Sequence, residues 1–203
     1  MYTIESNTLR AALTHAAKND VRFYLNGICL DLDAGRIVAT DGHRMFIASG
    51  PQDPGKGRVI LPRDLVANVC KAAGKRGMQV TVTLAGSGET ATATLALPTG
   101  AQFGETLIDG NFPDWPRVMP AELSGQPGQY DLEYLAAAAD ALVIHGAASK
   151  AQGVRVAHNG PEKPCIVYAP NCRENMAFVV VMPLRADGEV IGDELAAFIG
   201  LQS

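Results

Sequence analysis

One arrangement constrains this fold more than any other: an extended segment, a helical stripe, then three extended segments joined by short turns, three times in succession. The first copy opens at Tyr2-Thr3-Ile4. Ser6, Asn7 or Thr8 can cap a helix with the apolar stripe Leu9, Ala12, Leu13 and Ala16. Strands are expected over residues 23–32, 36–40 and 44–48. Asp41-Gly42 between the last two marks a two-residue hairpin, because glycine accepts positive φ. The second copy opens at Arg58-Val59-Ile60, and Pro62 suits a first helical turn. Leu65, Val66, Val69, Cys70 and Ala73 supply the buried face of that helix, and Gly74 ends it. Strands are expected at 78–84, 90–97 and 102–108. The third copy opens near Gln129-Tyr130-Asp131, with a helical stripe of Leu132, Leu135, Ala136, Ala139, Leu142 and Val143. Its strands are expected at 154–157, 165–169 and 177–182.

Alternating helices and strands also permit a parallel α/β fold. Strands that arrive in threes through short turns instead make antiparallel meanders. The expected class is therefore α+β, with helices on one face of antiparallel sheets.

Residues 107–120, Leu-Ile-Asp-Gly-Asn-Phe-Pro-Asp-Trp-Pro-Arg-Val-Met-Pro, follow neither a helical nor a strand period. Proline fixes its own φ and biases the preceding residue toward extended forms. The stretch reads as a stiff, extended connector that lays apolar side chains on a surface.

The chain has 203 residues, of which 47% are apolar, so a sizeable core can be buried. Its formal charge of −4 argues against a strongly basic, nonspecific coat for DNA, but leaves room for a local basic surface. No apolar run has the length of a membrane span, and the N-terminus lacks a signal-peptide pattern, so a cytoplasmic protein is the default expectation. Cys29, Cys70, Cys165 and Cys172 form no C-x-x-C pair and read as buried thiols. His15, His43, His145 and His158 lack metal-ligand spacing and read mostly as surface residues or as residues standing behind a site. No cofactor or metal is expected.

Three distant stretches carry a family resemblance: Ala39-Thr40-Asp41-Gly42-His43-Arg44-Met45, the connector, and Val180-Val181-Met182-Pro183-Leu184-Arg185. With Asp20-Val21-Arg22-Phe23-Tyr24-Leu25-Asn26-Gly27, they resemble the bacterial DNA polymerase III beta subunit, the sliding clamp. In that family each domain is a pair of strand–helix–strand units, and two three-domain chains close a ring around duplex DNA. Residues 1–120 resemble the middle clamp domain, 121–128 read as a linker, and 129–185 resemble the second half of the last domain. Residues 186–203 extend beyond the family pattern. The apolar run from Ile191 to Leu201 is expected to pack as a short helix, over an exposed edge or against another chain.

The resemblance implies a non-catalytic replication accessory. Its partners would be a DNA polymerase or other carriers of clamp-binding peptides, together with duplex DNA bound without sequence preference, and for its own assembly a closed homo-oligomeric ring, a noncyclic dimer and a monomer are the alternatives. The implied peptide cleft has Leu25, Met45, Pro113, Val118, Val180, Met182, Pro183 and Leu184 as apolar walls. Its polar rim is Thr40, Gly42, His43, Arg44, Arg117, Tyr134 and Arg185. Met45, Val118 and Val180 are equally types that fill a core, and Arg44 and Arg185 types found as solvated charges. The implied DNA face offers Arg10 and Lys18 from the first helix and Arg63, Lys71, Lys75 and Arg76 from the second. Asn19, Arg22, Phe23 and Tyr24 fall where the family's middle domain has a DNA-touching loop. The third helix carries Asp131, Glu133 and Asp140 and does not fit that face.

Two other functions stand beside this one. The chain can keep only the peptide site, as an adaptor or decoy that never encircles DNA. An enzyme using His43 with Asp41 or Asp109 is the weaker alternative, because no nucleophile motif or phosphate loop accompanies that histidine.

Overall fold

Strand β1 (Tyr2–Glu5) runs directly into helix α1 (Ser6–Leu13) in a computed structural model that describes residues 1–120, 122–123, 125–170 and 176–185. The expected tail helix lies outside the described residues. None of the three proposed side chains caps α1. Glu5 holds the N-cap position without a side-chain bond. Ser6 is buried and ties the helix start to the second unit instead: its N–H donates to the Met78 carbonyl at 2.9 Å, and its Oγ accepts from the Met78 N–H at 3.0 Å.

The first meander is β2 (Gly27–Asp31), β3 (Arg36–Thr40) and β4 (Arg44–Ser49). The strand expected from residue 23 begins later, because Phe23–Leu25 is a 3-10 turn. Asn26 is the cause. Its amide accepts from the Asp20 N–H and donates to the Asp20 carbonyl, closing residues 20–26 into a loop. The second unit is β5 (Arg58–Pro62), α2 (Arg63–Ala73), β6 (Gln79–Ala85), β7 (Thr92–Ala96) and β8 (Gln102–Thr106). Gly74 ends α2 with φ 68°, a backbone form that only glycine adopts at little cost. The third unit is α3 (Leu132–His145), β9 (Arg155–Ala157), β10 (Cys165–Tyr168) and β11 (Ala177–Val181). Its expected opening strand at 129–131 does not form; Gln129 only accepts a hydrogen bond from the Leu184 N–H at 2.8 Å.

All pairings among the described residues are antiparallel, which excludes the parallel α/β alternative. The sheets run β1-β6-β7-β8 and β5-β2-β3-β4-β11-β10-β9. The first two units therefore exchange their opening strands, and the third extends the larger sheet through β4 and β11.

The helices pack on one face of each sheet. Leu9, Val66 and Leu142 share a core with Leu30, Phe46, Val82 and Leu95. The third helix turns differently from its expected stripe. Ala138, Ala141, Leu142 and His145 are buried, whereas Leu132 and Ala136 are exposed. On the opposite face of the larger sheet, the connector covers Cys29, Val38, Met45, Ile47, Ile60 and Val180 with Phe112, Trp115 and Val118. Because both faces are covered, every residue of β2 is buried. This second, smaller core positions the candidate site.

Candidate functional site

The loop between β3 and β4 forms one rim of the site. It is longer than a two-residue hairpin, because Thr40 pairs with Met45 across it. Asp41 supplies the turn. Its Oδ1 accepts the N–H groups of His43 and Arg44 at 2.9 and 3.0 Å, and its Oδ2 accepts Arg44 Nε at 3.0 Å. Burial alone would raise the Asp41 pKa, but those N–H bonds and the Arg44 guanidinium outweigh it and hold it below the usual carboxylate value. Gly42 sits at φ 95°, and a Cβ there would lie 2.9 Å from an Arg22 guanidinium nitrogen.

The connector forms the facing wall. A 3-10 turn at Trp115–Val118 follows Pro113. Trp115 Nε1 donates to Asp31 Oδ2 at 2.9 Å, which pins the indole to the end of β2. Asp31, 2% exposed, also accepts Arg58 Nε at 2.8 Å and the Ala34 N–H at 3.0 Å. Beyond β11, the Met182 N–H donates to the His43 carbonyl at 2.8 Å, joining the terminal segment to the loop.

These pieces enclose a cavity of about 240 Å³. Of the residues expected in the cleft, Leu25, Thr40, Gly42, Arg44, Met45, Pro113, Val118, Val180 and Met182 line it. Met45 and Val180 are buried, so they are core residues and cavity walls at once. His43 and Tyr134 lie outside the cavity and make a second platform beside it. Their rings stack with centroids 5.7 Å apart, and the Arg44 guanidinium lies 5.3 Å from the Tyr134 centroid. Leu184 and Arg185 are exposed just past β11, and Pro183 is half-buried. Arg117 points away: it is exposed and pairs with Asp114 at 2.7 Å. These four do not line the cavity.

Sequence reasoning missed Trp115 as a wall and placed Arg22 and Tyr24 only on a DNA face, yet all three line the cavity. Two signals point to Trp115. An indole N–H in an apolar connector needs an acceptor, and Asp31 is the one acid closing the apolar run Gly27-Ile28-Cys29-Leu30. For the weaker enzyme reading, the Asp41 carboxylate is engaged by backbone N–H groups and Arg44, while the His43 ring stacks on Tyr134.

The family model described as "DNA polymerase III beta subunit, central domain" matches residues 3–114 of the 203. The chain belongs to that family. The beta sliding clamp of Pseudomonas aeruginosa is 38% identical over 110 residues, which are 51% of this chain and 28% of that protein. The Proteus mirabilis beta sliding clamp is 33% identical over 138 residues, 59% of this chain and 34% of the other. Among solved structures, the P. aeruginosa DNA polymerase sliding clamp with ligand gives a TM-score of 0.68 at 21% identity. It covers 91% of this chain and 66% of its own. The Bacillus subtilis clamp gives 0.65 at 15% identity. At those identities the match establishes the fold alone. This beta-subunit relative thus spans about a third of the curated sliding clamps it matches.

The residues expected on a DNA face of this family member fall into two groups. Lys18, Asn19, Arg22, Phe23, Lys71, Lys75 and Arg76 are exposed, and Tyr24 is half-buried. Arg10 and Arg63 do structural work instead. Arg10 donates to the Cys70 and Gly74 carbonyls at 2.7 and 2.6 Å, clasping α1 to the end of α2. Arg63 donates to the Leu13 and Ala16 carbonyls at 2.9 and 2.7 Å, capping the end of α1.

His15 and His145 are buried, not surface residues as expected. Each ring lies about 6 Å from Phe46, at 6.0 and 5.9 Å between centroids. Cys29, Cys70 and Cys165 are buried free thiols. Among the described residues, no group of three or more His, Cys, Asp or Glu is placed to hold a metal, and no helix is long and apolar enough to cross a membrane.

Proposed function

We propose that this chain is a sliding-clamp-like, non-catalytic replication accessory that takes the apolar end of a partner peptide, as a polymerase would carry, into the cleft between the connector, the 41–44 loop and Met182. The observation that carries this reading is the convergence of three distant segments on one apolar cavity with an open mouth. Methionine at two wall positions suits a surface that must accept more than one side chain. Arg22, Arg44 and the His43–Tyr134 platform supply polar and aromatic groups at the rim, where hydrogen bonds set the register of a bound peptide. A site with two or three anchors of this kind binds in the micromolar range, about −8 kcal/mol.

The test replaces Met182 and Leu184 together with serine. Both are at least partly exposed, so the fold persists. Affinity for a fluorescent peptide ending in two apolar residues falls by at least about tenfold, equivalent to about 1.4 kcal/mol. Undiminished affinity places peptide binding elsewhere.

The adaptor or decoy reading, without DNA, is favoured by a separate observation. Arg10 and Arg63 are engaged with backbone carbonyls, and α3 offers Glu133 and Asp140 to any phosphate backbone. Binding of duplex DNA that weakens steeply with salt supports the clamp-like role, whereas no binding at low salt supports the adaptor.

A further inference from the structure

We propose that the open edge of β8 is an interface between two copies of this chain, paired antiparallel about a two-fold axis. The chain contains its own template for such a contact. β4 and β11 are the third strands of the first and third units. They pair edge to edge and antiparallel from Arg44 opposite Val181 to Ala48 opposite Ala177. Helices α1 and α3 of the same units pack across that junction. β8 is the third strand of the second unit. It closes the four-stranded sheet, with β7 on one side and no strand on the other among the described residues.

The backbone of β8 is arranged to be paired again. The Leu97 N–H donates to the Ala101 carbonyl and the Leu107 N–H to the Ala91 carbonyl, both at 2.8 Å. Antiparallel alternation then points the N–H and C=O groups of Phe103 and Glu105 at β7, and those of Gln102, Gly104 and Thr106 outward. The usual edge defences of lysine and proline are missing from Gln102–Thr106, and its register with β7 is unbroken by a bulge.

An outward set spaced by two residues is self-complementary. With the two-fold axis at Gly104, that residue exchanges both bonds with its own copy, and Gln102 does so with the second Thr106. The one charge, Glu105, falls opposite Phe103 of the second copy. A two-fold axis at Glu105 would instead set the two carboxylates opposite as a non-hydrogen-bonded pair, so like-charge repulsion favours the register centred on Gly104. Phe103 lies on the helix-bearing face, in line with Leu95 and Val82. There α2 packs on β8 and carries exposed Lys71, a base on the same face of the sheet as the Glu105 side chains.

Sedimentation equilibrium of the full chain over a dilution series tests this. The mass approaches twice 21.4 kDa at high concentration and falls to 21.4 kDa on dilution. Gly104→Pro removes an outward N–H that β7 does not use, and a Cβ there meets only Thr94 Oγ1 at 3.6 Å and the Ala93 carbonyl at 3.8 Å. A second variant, Gln102→Lys with Thr106→Lys, sets like charges opposite across the axis while changing only exposed positions. Each weakens association by roughly tenfold or more, with unchanged circular dichroism and melting. If the proline variant does not fold, the lysine pair decides alone. A monomer at every concentration, or a dimer of full strength in the lysine variant, overturns the proposal. A chain that stays monomeric alone and associates only with an added full-length beta sliding clamp also overturns it, because the edge then belongs to a different chain.

Discussion

Asp31 is the residue on which the connector wall depends. Burial alone would raise its pKa, but bonds from the Trp115 indole, the Ala34 N–H and Arg58 hold it below the usual carboxylate value. It is therefore ionised at neutral pH, and its acceptor oxygens fix a tryptophan that the chain has only once. Asp31→Ala leaves the indole N–H and part of Arg58 without an acceptor, at a cost of about 2–3 kcal/mol by urea unfolding. Because Trp115 is the sole tryptophan, its fluorescence emission reads the release of the ring directly. Peptide affinity falls in the same variant, although residue 31 does not line the cavity. Asp31→Asn keeps an oxygen for the indole and loses less of all three. Unchanged emission and an unchanged urea midpoint in Asp31→Ala would mean that packing alone holds the connector.

The 41–44 loop works by the same logic at the level of an element. Its shape rests on two side chains, since Asp41 takes two backbone N–H groups and Thr40 bridges the turn, accepting the Gly42 N–H at 3.0 Å and donating to the Arg44 carbonyl at 2.8 Å. Asp41→Ala strands those N–H groups and frees Arg44, which costs about 1–3 kcal/mol by urea unfolding. Loss of the loop's shape also moves the His43 carbonyl that receives Met182, so peptide affinity drops in parallel. An alanine variant as stable as the parent would show that the sheet imposes the loop without its aspartate. The sequence announced a turn here but not its length, because Asp-Gly favours a short hairpin and an aspartate-closed loop alike. The same limit explains other departures. Helix α3 carries alanine on several sides, so its sequence does not single out the face that packs, and the ring of His145 rather than Leu132 turns inward. Arg10 and Arg63 look like surface charges until the helix ends beside them are known. The cleft was more legible than its surroundings. Its walls join Met45 and Val180 of the interior strands β4 and β11 to apolar residues of irregular segments, Leu25, Pro113, Val118 and Met182, which no regular element accounts for.

At the scale of the whole molecule, three elements meet at one aromatic ring. Phe46 of β4 lies between His15, just past α1, and His145 at the end of α3, so the pair spans the junction of the first and third units. Burial, helped by the Arg44 guanidinium, lowers the His15 pKa to about 4 against the opposing pull of Asp41 and the Ala11 carbonyl. Burial also lowers that of His145. Among the described residues, no group pairs with His15 Nε2 or with either ring nitrogen of His145. Both rings are neutral in the folded chain at neutral pH, and both titrate near 6.5 once unfolded. The unfolded state therefore binds more protons between these values. The stability these rings contribute is fully present above about pH 6.5 and is lost as pH falls toward 4. The melting temperature accordingly drops between pH 7 and pH 4.5. In that window Asp31 and Asp41, held below their usual values, keep their charge. His15→Leu with His145→Leu flattens the slope, since an apolar side chain fits the same surroundings and binds no proton. If the parent and the double leucine variant lose melting temperature equally over that range, proton uptake at this junction is not what loosens the third unit from the first.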